Sequence, residues 1–128
     1  MNRVKRKICL FLYYYIFNKL CPGFLFLGYK VGYKIKYFLC KNIFMKIGSN
    51  VEIKKNAYFG DGEKIEIGDN SELGINCIVN NDIKIGKNIM MGPDVIIYSN
   101  SHEYKSLDIP MKFQGAKERK PVVIGDDV

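Results

Sequence analysis

A six-residue rhythm runs through the chain from Ile47 onward and restricts the possible fold more than any other feature. One position of each hexapeptide carries an aliphatic or aromatic residue, with a two-residue insertion after Phe59: Ile47, Ile53, Phe59, Ile67, Leu73, Val79, Ile85, Met91 and Ile97. Four positions after most of these stands a second small or apolar residue: Val51, Ala57, Ser71, Cys77, Ile83, Ile89, Val95 and Ser101. Nothing repeats at the helical period, so the pattern indicates short strands.

The spacing within each hexapeptide predicts strands joined by tight corners. Val51 and Ile53 are two residues apart, so in an extended strand their side chains point to the same side. Asn or Asp follows at the position where the chain must turn, and these residues tolerate the left-handed backbone of tight corners. The corner positions are Asn50, Asn56, Asn70, Asn76, Asp82, Asn88, Asp94 and Asn100. Three hexapeptides would complete one triangular turn, so residues 18 apart should stack in parallel register.

The first 46 residues differ from the rest in charge and composition. They hold ten basic side chains and no acidic one, whereas residues 47–128 hold ten basic and thirteen acidic side chains, which accounts for the net charge of +7. Twelve of the seventeen aromatic residues also precede Ile47. We therefore divide the chain into a basic aromatic helical arm, residues 1–46, and a hexapeptide-repeat body, residues 47–128.

The arm contains one predicted amphipathic helix and one short apolar run. From Tyr29 to Phe44, apolar residues recur every three or four positions, at Tyr29, Tyr33, Tyr37, Cys40 and Phe44. The run from Ile8 to Phe17 is too short to span a bilayer, which takes about 20 helical residues. Two interpretations of the basic helix stay open: attachment to an anionic membrane surface, and docking on the body. Nucleic-acid binding is disfavoured, because the body offers no base-reading chemistry.

The cysteines and the single histidine limit the available chemistry. Cys9, Cys21, Cys40 and Cys77 form no CxxC pair, and we predict free buried thiols in a reducing compartment rather than a disulfide framework. A metal site is not predicted, since His102 is the only histidine and a catalytic zinc needs several ligands.

Three segments carry a resemblance to a known family. They are Ile85-Gly86-Lys87-Asn88-Ile89-Met90-Met91-Gly92-Pro93-Asp94-Val95, Ser99-Asn100-Ser101-His102, and Pro121-Val122-Val123-Ile124-Gly125-Asp126-Asp127-Val128. Residues 47–128 resemble the hexapeptide-repeat acyltransferases, and among them the bacterial saccharide O-acetyltransferases of capsule and exopolysaccharide synthesis. The resemblance implies a mainly β fold, a left-handed parallel β-helix. It also implies acetyl transfer from acetyl-CoA to a saccharide hydroxyl by a cytoplasmic homotrimer, here at the inner face of the membrane if the arm binds lipid.

The resemblance also implies roles for individual residues. His102 matches the position of the family's general base, and imidazole suits that role because it titrates near neutral pH. Its place in the hexapeptide predicts an outward side chain, and Lys84, eighteen residues earlier, should then lie beside it on the same face. Asn100 in the motif, Tyr104 and Gln114 in the irregular loop 103–121, and Lys84 are candidates for binding the saccharide acceptor. Outward Ile78 and Ile96 predict a subunit contact.

The expected donor contacts lie outside this sequence. Members of the family continue after such a C-terminal motif with a Trp-Ile-Gly segment and further coils that form most of the acetyl-CoA groove. We therefore interpret the chain as C-terminally truncated and expect its cofactor-binding residues beyond Val128. The alternative is a non-catalytic truncated solenoid that acts as a binding or membrane-associated module.

Overall fold

The computed structural model describes residues 2–19, 29–80 and 82–128 and shows a helical N-terminus followed by short parallel strands. Helix α1 spans Arg3–Leu12 and continues into a π-helical turn, Tyr13–Phe17, and helix α2 spans Tyr29–Lys41. The strands in the described ranges are β1 (Lys46–Ile47), β2 (Glu52–Ile53), β3 (Glu66–Ile67), β4 (Glu72–Leu73), β5 (Ile78–Val79), β6 (Ile83–Ile85), β7 (Ile96–Ile97) and β8 (Val122–Ile124). The predicted combination of helical arm and β body is confirmed at this level.

The strands form three parallel sheets, and the chain visits the sheets in turn. Their orders are β1-β3-β6-β8, β2-β4 and β5-β7. Ile78 pairs with Ile96, and Glu66 with Lys84, which confirms the predicted 18-residue register. Lys46 pairs with Glu66 instead, a spacing of 20 residues, because the two-residue insertion lies between them.

Most side chains that the hexapeptide pattern assigns to the inside form the core of the body together with Ile65, whereas Ile47, Val95 and Ile97 are half-buried and Ser101 is exposed. Ile53, Leu73 and Val79 are fully buried, whereas the neighbouring Glu52 and Lys84 are exposed. Burial at alternate positions is what an extended strand with one face on the core requires. The pattern-derived core residues that are buried are Val51, Ile53, Ala57, Phe59, Ile67, Ser71, Leu73, Cys77, Val79, Ile83, Ile85, Ile89 and Met91.

Asparagine and aspartate occupy the corners in the predicted left-handed conformation. All the predicted corner residues have positive φ except Asn100, and Asp127 joins them. Their side chains also bond one another between layers: Asn50 donates to Asn70 (3.1 Å), Asn70 to Asn88 (3.3 Å) and Asn88 to Asp127 (2.8 Å). The short amide side chain therefore serves the corner twice, through its tolerance of positive φ and through these bonds.

Two glycines allow successive layers to approach closely. A Cβ at Gly68 would lie 2.6 Å from the carbonyl oxygen of Gly86, and one at Gly74 would clash with the carbonyl oxygen of Gly92. Gly92 itself faces open space, so the same repeat position is constrained in one layer and unconstrained in the next.

The arm packs on the body. Of the two interpretations left open for the arm, the structure therefore shows docking on the body directly. Tyr13 is fully buried, lies 4.6 Å from Phe59 between ring centroids, and donates its hydroxyl to the Ala57 carbonyl at 2.8 Å. Tyr37 of α2 donates to the Gly48 carbonyl at 2.9 Å. Neither described helix is of a length and apolarity that would carry it through a bilayer.

The face of α2 that packs on the body is shifted along the sequence by about one residue from the predicted apolar face. The helix ends at Lys41 rather than at Phe44, and its buried residues include Gly32, Lys36, Leu39 and Cys40. Lys36 therefore belongs to the interface, where its ammonium group donates to the Lys54 carbonyl at 3.3 Å. A lysine stem covers apolar surface well, which a simple division into apolar and charged positions overlooks.

Candidate functional site

His102 lies where the chain leaves the stacked strands and begins a hairpin-like excursion. It forms an antiparallel bridge with Ala116, and the backbone pairing extends on both sides: Glu103 N–H donates to the Gly115 carbonyl (3.0 Å) and Lys117 N–H to the Ser101 carbonyl (2.9 Å). The imidazole is exposed. No other side chain in the described ranges hydrogen-bonds to this ring.

Lys84 is not the strand neighbour of His102, and that prediction was wrong. In β6, Lys84 pairs with Glu66 on one side and with Val123 of β8 on the other. The next layer on β6 is thus supplied by residues 122–124, and the 101–103 segment is displaced into the hairpin. Apolar burial explains the choice, because Val122 and Ile124 fill the inward positions that Ser101 and Glu103 would otherwise occupy.

Lys84 instead belongs to an ion-paired groove on the outer face of the β1-β3-β6-β8 sheet. Its ammonium group lies 3.2 Å from Glu66 Oε1, and Lys87 lies 3.7 Å from Asp69 Oδ2. The groove has a volume of about 370 Å³ and runs past Val123 and Asp126. The two lysines pair with Glu66 and Asp69 of the neighbouring layer, and His102 does not line this groove. Lys84 therefore does not belong to the surroundings of His102.

A polar cleft of about 290 Å³ opens beside the base of the hairpin. Its walls come from both limbs of the hairpin and from two earlier layers of the body: Tyr58, Gly60, Asp61, Asn80, Ser99, Asn100 and Arg119. Asn80 donates to the side-chain oxygen of Asn100 at 2.6 Å. Hydroxyl, carboxylate, amide and guanidinium groups thus face one space, a mixture that offers both donors and acceptors.

Asn100 departs from the other corner residues in a way that bears on this cleft. Its φ is not positive, unlike that of Asn88 or Asp94, and its partner Asn80 stands outside the corner series. We therefore place Asn100 in the cleft wall, as its candidate role requires. Asn80, Asp61 and Arg119 were not predicted; the sequence signal for Asn80 was an asparagine that directly follows the inward residue Val79 and does not stand at a corner position.

The two loop candidates have different surroundings. Gln114 is engaged within the loop, because its side-chain oxygen accepts from Ser106 N–H (3.0 Å) and its amide nitrogen donates to the Ser106 carbonyl (2.8 Å) and the Ile109 carbonyl (2.5 Å). Those contacts make Gln114 a clasp that closes the loop. Tyr104 is exposed, with the Lys117 ammonium 3.6 Å from its ring centroid, a cation–π contact across the two hairpin limbs.

The described thiols are placed for packing rather than for nucleophilic chemistry. Cys9, Cys40 and Cys77 are free and buried, as predicted, and Cys21 lies outside the described residues. Burial raises the pKa of Cys77 to about 11 and that of Cys40 well above its usual range, so neither sulfur ionises readily. Within the described ranges, no three residues among His, Cys, Asp and Glu come together in a group that could hold a metal ion.

Comparison with known proteins assigns no family to this geometry. No protein-family model matches the chain, and no solved structure matches it.

Proposed function

We propose that the three parallel sheets are the three faces of a left-handed parallel β-helix, and that the protein is a saccharide O-acetyltransferase of the hexapeptide-repeat class. The register of 18 or 20 residues, the buried alternate positions and the left-handed Asn corners support the β-helix. Such stacking leaves the corners and loops free to carry chemistry.

One observation carries the assignment of chemistry: the only imidazole in the chain stands exposed at the base of a hairpin whose limbs line a polar cleft. Ser99 and Asn100 precede His102 on one limb, and Arg119 follows its bridge partner Ala116 on the other. An exposed imidazole two residues along the chain from Asn100 of the cleft wall suits removal of a proton from a sugar hydroxyl.

The proposed reaction transfers an acetyl group from acetyl-CoA to that hydroxyl. A nitrogen of His102 takes the hydroxyl proton while the sugar oxygen bonds to the thioester carbonyl carbon. The carbon–sulfur bond then breaks, and the coenzyme A sulfur leaves with the proton returned from the imidazolium, so that an ester and a free thiol are formed. In this scheme acetyl-CoA is a substrate that donates the acetyl group.

The cleft residues have defined tasks in this scheme. Saccharide hydroxyls both donate and accept hydrogen bonds, and the Asn80 and Asn100 amides, Ser99 and Arg119 can answer both needs. Tyr58 offers an aromatic face at the cleft wall. Gln114 acts indirectly in this proposal, since its three bonds fix the loop that carries Arg119 back to the body.

A homotrimer is part of the proposal, with the β5-β7 face as the subunit contact. Ile78 and Ile96 pair between two adjacent layers. Tyr58 lies in the layer before that of Ile78 and forms a parallel β-bridge with it. Tyr58 and Ile96 are both exposed, so an outward apolar ladder crosses three layers. The buried free thiols fit a reducing compartment, and we place the reaction in the cytoplasm on that basis.

The test is acetyl transfer to a panel of free and lipid-linked saccharides, followed by mass spectrometry of the acetylated sugar. His102→Asn should lower the rate about 100-fold to 10,000-fold. Lys105→Ala, an exposed change in the same loop, is the control and should keep the rate. Full activity in His102→Asn would refute the role of the base. A folded wild-type protein that acetylates nothing would favour the non-catalytic binding module.

A further inference from the structure

Helix α1 has two apolar faces, and the body uses only one of them. Cys9 and Tyr13 point into the core and are buried. On the opposite face Val4, Ile8 and Phe11 are exposed, and Tyr15 extends the same line into the π-helical turn, where its ring stacks on Phe11 at 4.7 Å. Positions 4, 8, 11 and 15 follow the helical repeat of roughly 3.6 residues. We call these four residues the outer stripe.

Basic side chains border the outer stripe on both sides. At roughly 100° per residue, Lys5 and Lys7 fall to its left and right, and Arg3 lies beyond Lys7. All three are exposed. Arg6, by contrast, turns to the body, where its guanidinium donates to the carbonyls of Ile43 (3.2 Å) and Asp61 (2.5 Å). Among the described residues no carboxylate pairs with Arg3, Lys5 or Lys7.

These charges do not serve the stability of α1. The first turn of a helix favours acidic side chains because of the helix dipole, yet the first turn of α1 contains none and carries Arg3 and Lys5. Their placement is unfavourable for the isolated helix and favourable for an external anion. An external partner of α1 should therefore present both negative charge and an apolar layer.

We propose that α1 lies in the interface of a membrane containing anionic phospholipids, with the outer stripe in the acyl boundary and Lys5, Lys7 and Arg3 at the headgroups. A single row of apolar side chains bordered by lysines is the layout of helices that lie in the membrane plane. A second copy of the chain fits less well, because each arm carries ten basic and no acidic side chains and two arms would repel. The predicted membrane role thus moves from α2, whose apolar face packs on the body, to α1.

The absence of tryptophan from the chain allows a direct test. Phe11→Trp places one fluorophore in the outer stripe, and Phe113→Trp places one at a similarly exposed position in the loop. Equimolar phosphatidylglycerol–phosphatidylcholine vesicles should shift the emission of Phe11→Trp to shorter wavelength and leave that of Phe113→Trp unchanged. Equal shifts at both positions, or no shift at position 11, would overturn the proposal.

Cosedimentation with the same vesicles separates the charge from the apolar contribution. Lys5→Gln/Lys7→Gln should weaken binding about 30-fold, at about one kcal/mol for each basic residue near an anionic surface. Lys105→Gln/Lys112→Gln, an equal loss of exposed charge in the loop, is the control and should bind like the wild type. Ile8→Ser/Phe11→Ser should weaken binding about 100-fold.

Three results would contradict a membrane partner. Equal binding to pure phosphatidylcholine vesicles would remove the anionic requirement, and an equal effect of the loop control would reduce the binding to net charge. A Phe11→Trp shift that grows with protein concentration in the absence of lipid would identify a second copy as the occupant of the stripe. Far-UV circular dichroism of each variant verifies that the fold is kept, and vesicle binding of a folded wild type requires no acetyltransferase activity.

Discussion

In the stacked strands β2 to β6, side chains at alternate positions are buried, whereas from Ser101 to Pro121 no residue is buried. Most strand pairs join residues 18 or 20 positions apart, such as Ile53 with Leu73, and β6 joins β8 at a spacing of 39. The hairpin is held mainly by contacts within itself, such as Gln114 with Ser106. The repeat therefore supplies the contacts that stabilise the fold, whereas the hairpin exposes His102 and forms one wall of the polar cleft.

The largest effect is expected from a substitution that disrupts the close stacking of the repeat layers. Gly74→Ala should lower the free energy of unfolding by about 3 kcal/mol, because the new Cβ meets the backbone of the next layer, which cannot move alone. Gly92→Ala changes the same repeat position one layer later, where the Cβ faces open space, and should cost less than about 0.5 kcal/mol.

Urea denaturation of both glycine variants checks the layer-to-layer constraint. The prediction concerns the difference between two chemically identical substitutions, so effects on the unfolded chain largely cancel. Similar losses at positions 74 and 92 would show that the layers are not stacked as tightly as described.

A smaller and local effect is expected in the excursion. Gln114→Ala removes all three loop bonds of that side chain and should speed tryptic cleavage after the loop lysines about tenfold. The midpoint of thermal unfolding should stay within error of the wild type, because the loop contributes no buried side chain. Met111→Ala, exposed in the same loop, serves as the control. A fall in the midpoint that matches the gain in cleavage would mean that loop and repeat unfold together.

The same contrast explains how much the sequence could predict. Burial at Ile53 and Leu73, parallel pairing and the left-handed corners follow from a short period in which each residue type has a physical task. The position of His102 beside Lys84 was an extrapolation of that period past its end. Two segments compete to stack on β6. The segment that does so, Val122–Ile124, partly buries two branched apolar side chains at positions where Ser101–Glu103 would place a hydroxyl and a carboxylate.

Other features of the site depend on contacts between residues that are distant in sequence. The polar cleft joins Asp61, Asn80 and Arg119, which are far apart in sequence and share no motif. The clasp role of Gln114 depends on the turn that brings Ile109 and Ser106 together. In the arm, Lys36 is not one of the predicted apolar positions of α2, yet its stem is long enough to be buried while its ammonium group reaches a carbonyl.

The smallest effect is expected from the charge of Asp69, next to the corner residue Asn70, and concerns how the stability of the fold depends on pH. Ser49 donates to Asp69 Oδ1 through its backbone N–H (2.8 Å) and its hydroxyl (3.0 Å), and these bonds, with a smaller contribution from Lys87, hold the pKa of Asp69 below its ordinary value. A lowered pKa in the folded state means that the ionised carboxylate stabilises the fold. That contribution is present above the pKa of an unfolded aspartate, about 3.9, and is lost as the pH falls through the lowered value.

The thermal midpoint of the wild type should therefore fall more steeply below about pH 4 than that of Asp69→Asn, which keeps the acceptor oxygen but cannot titrate. Asp108→Asn is the matched change in the excursion, because the Asp108 carboxylate accepts no hydrogen bond from the described residues, and its profile should parallel the wild type. Circular dichroism melts at a series of pH values make the comparison. If Asp108→Asn flattened the acid limb as much as Asp69→Asn does, the acid sensitivity would arise from total charge, and the Ser49–Asp69 contact between stacked layers would have no special part in it.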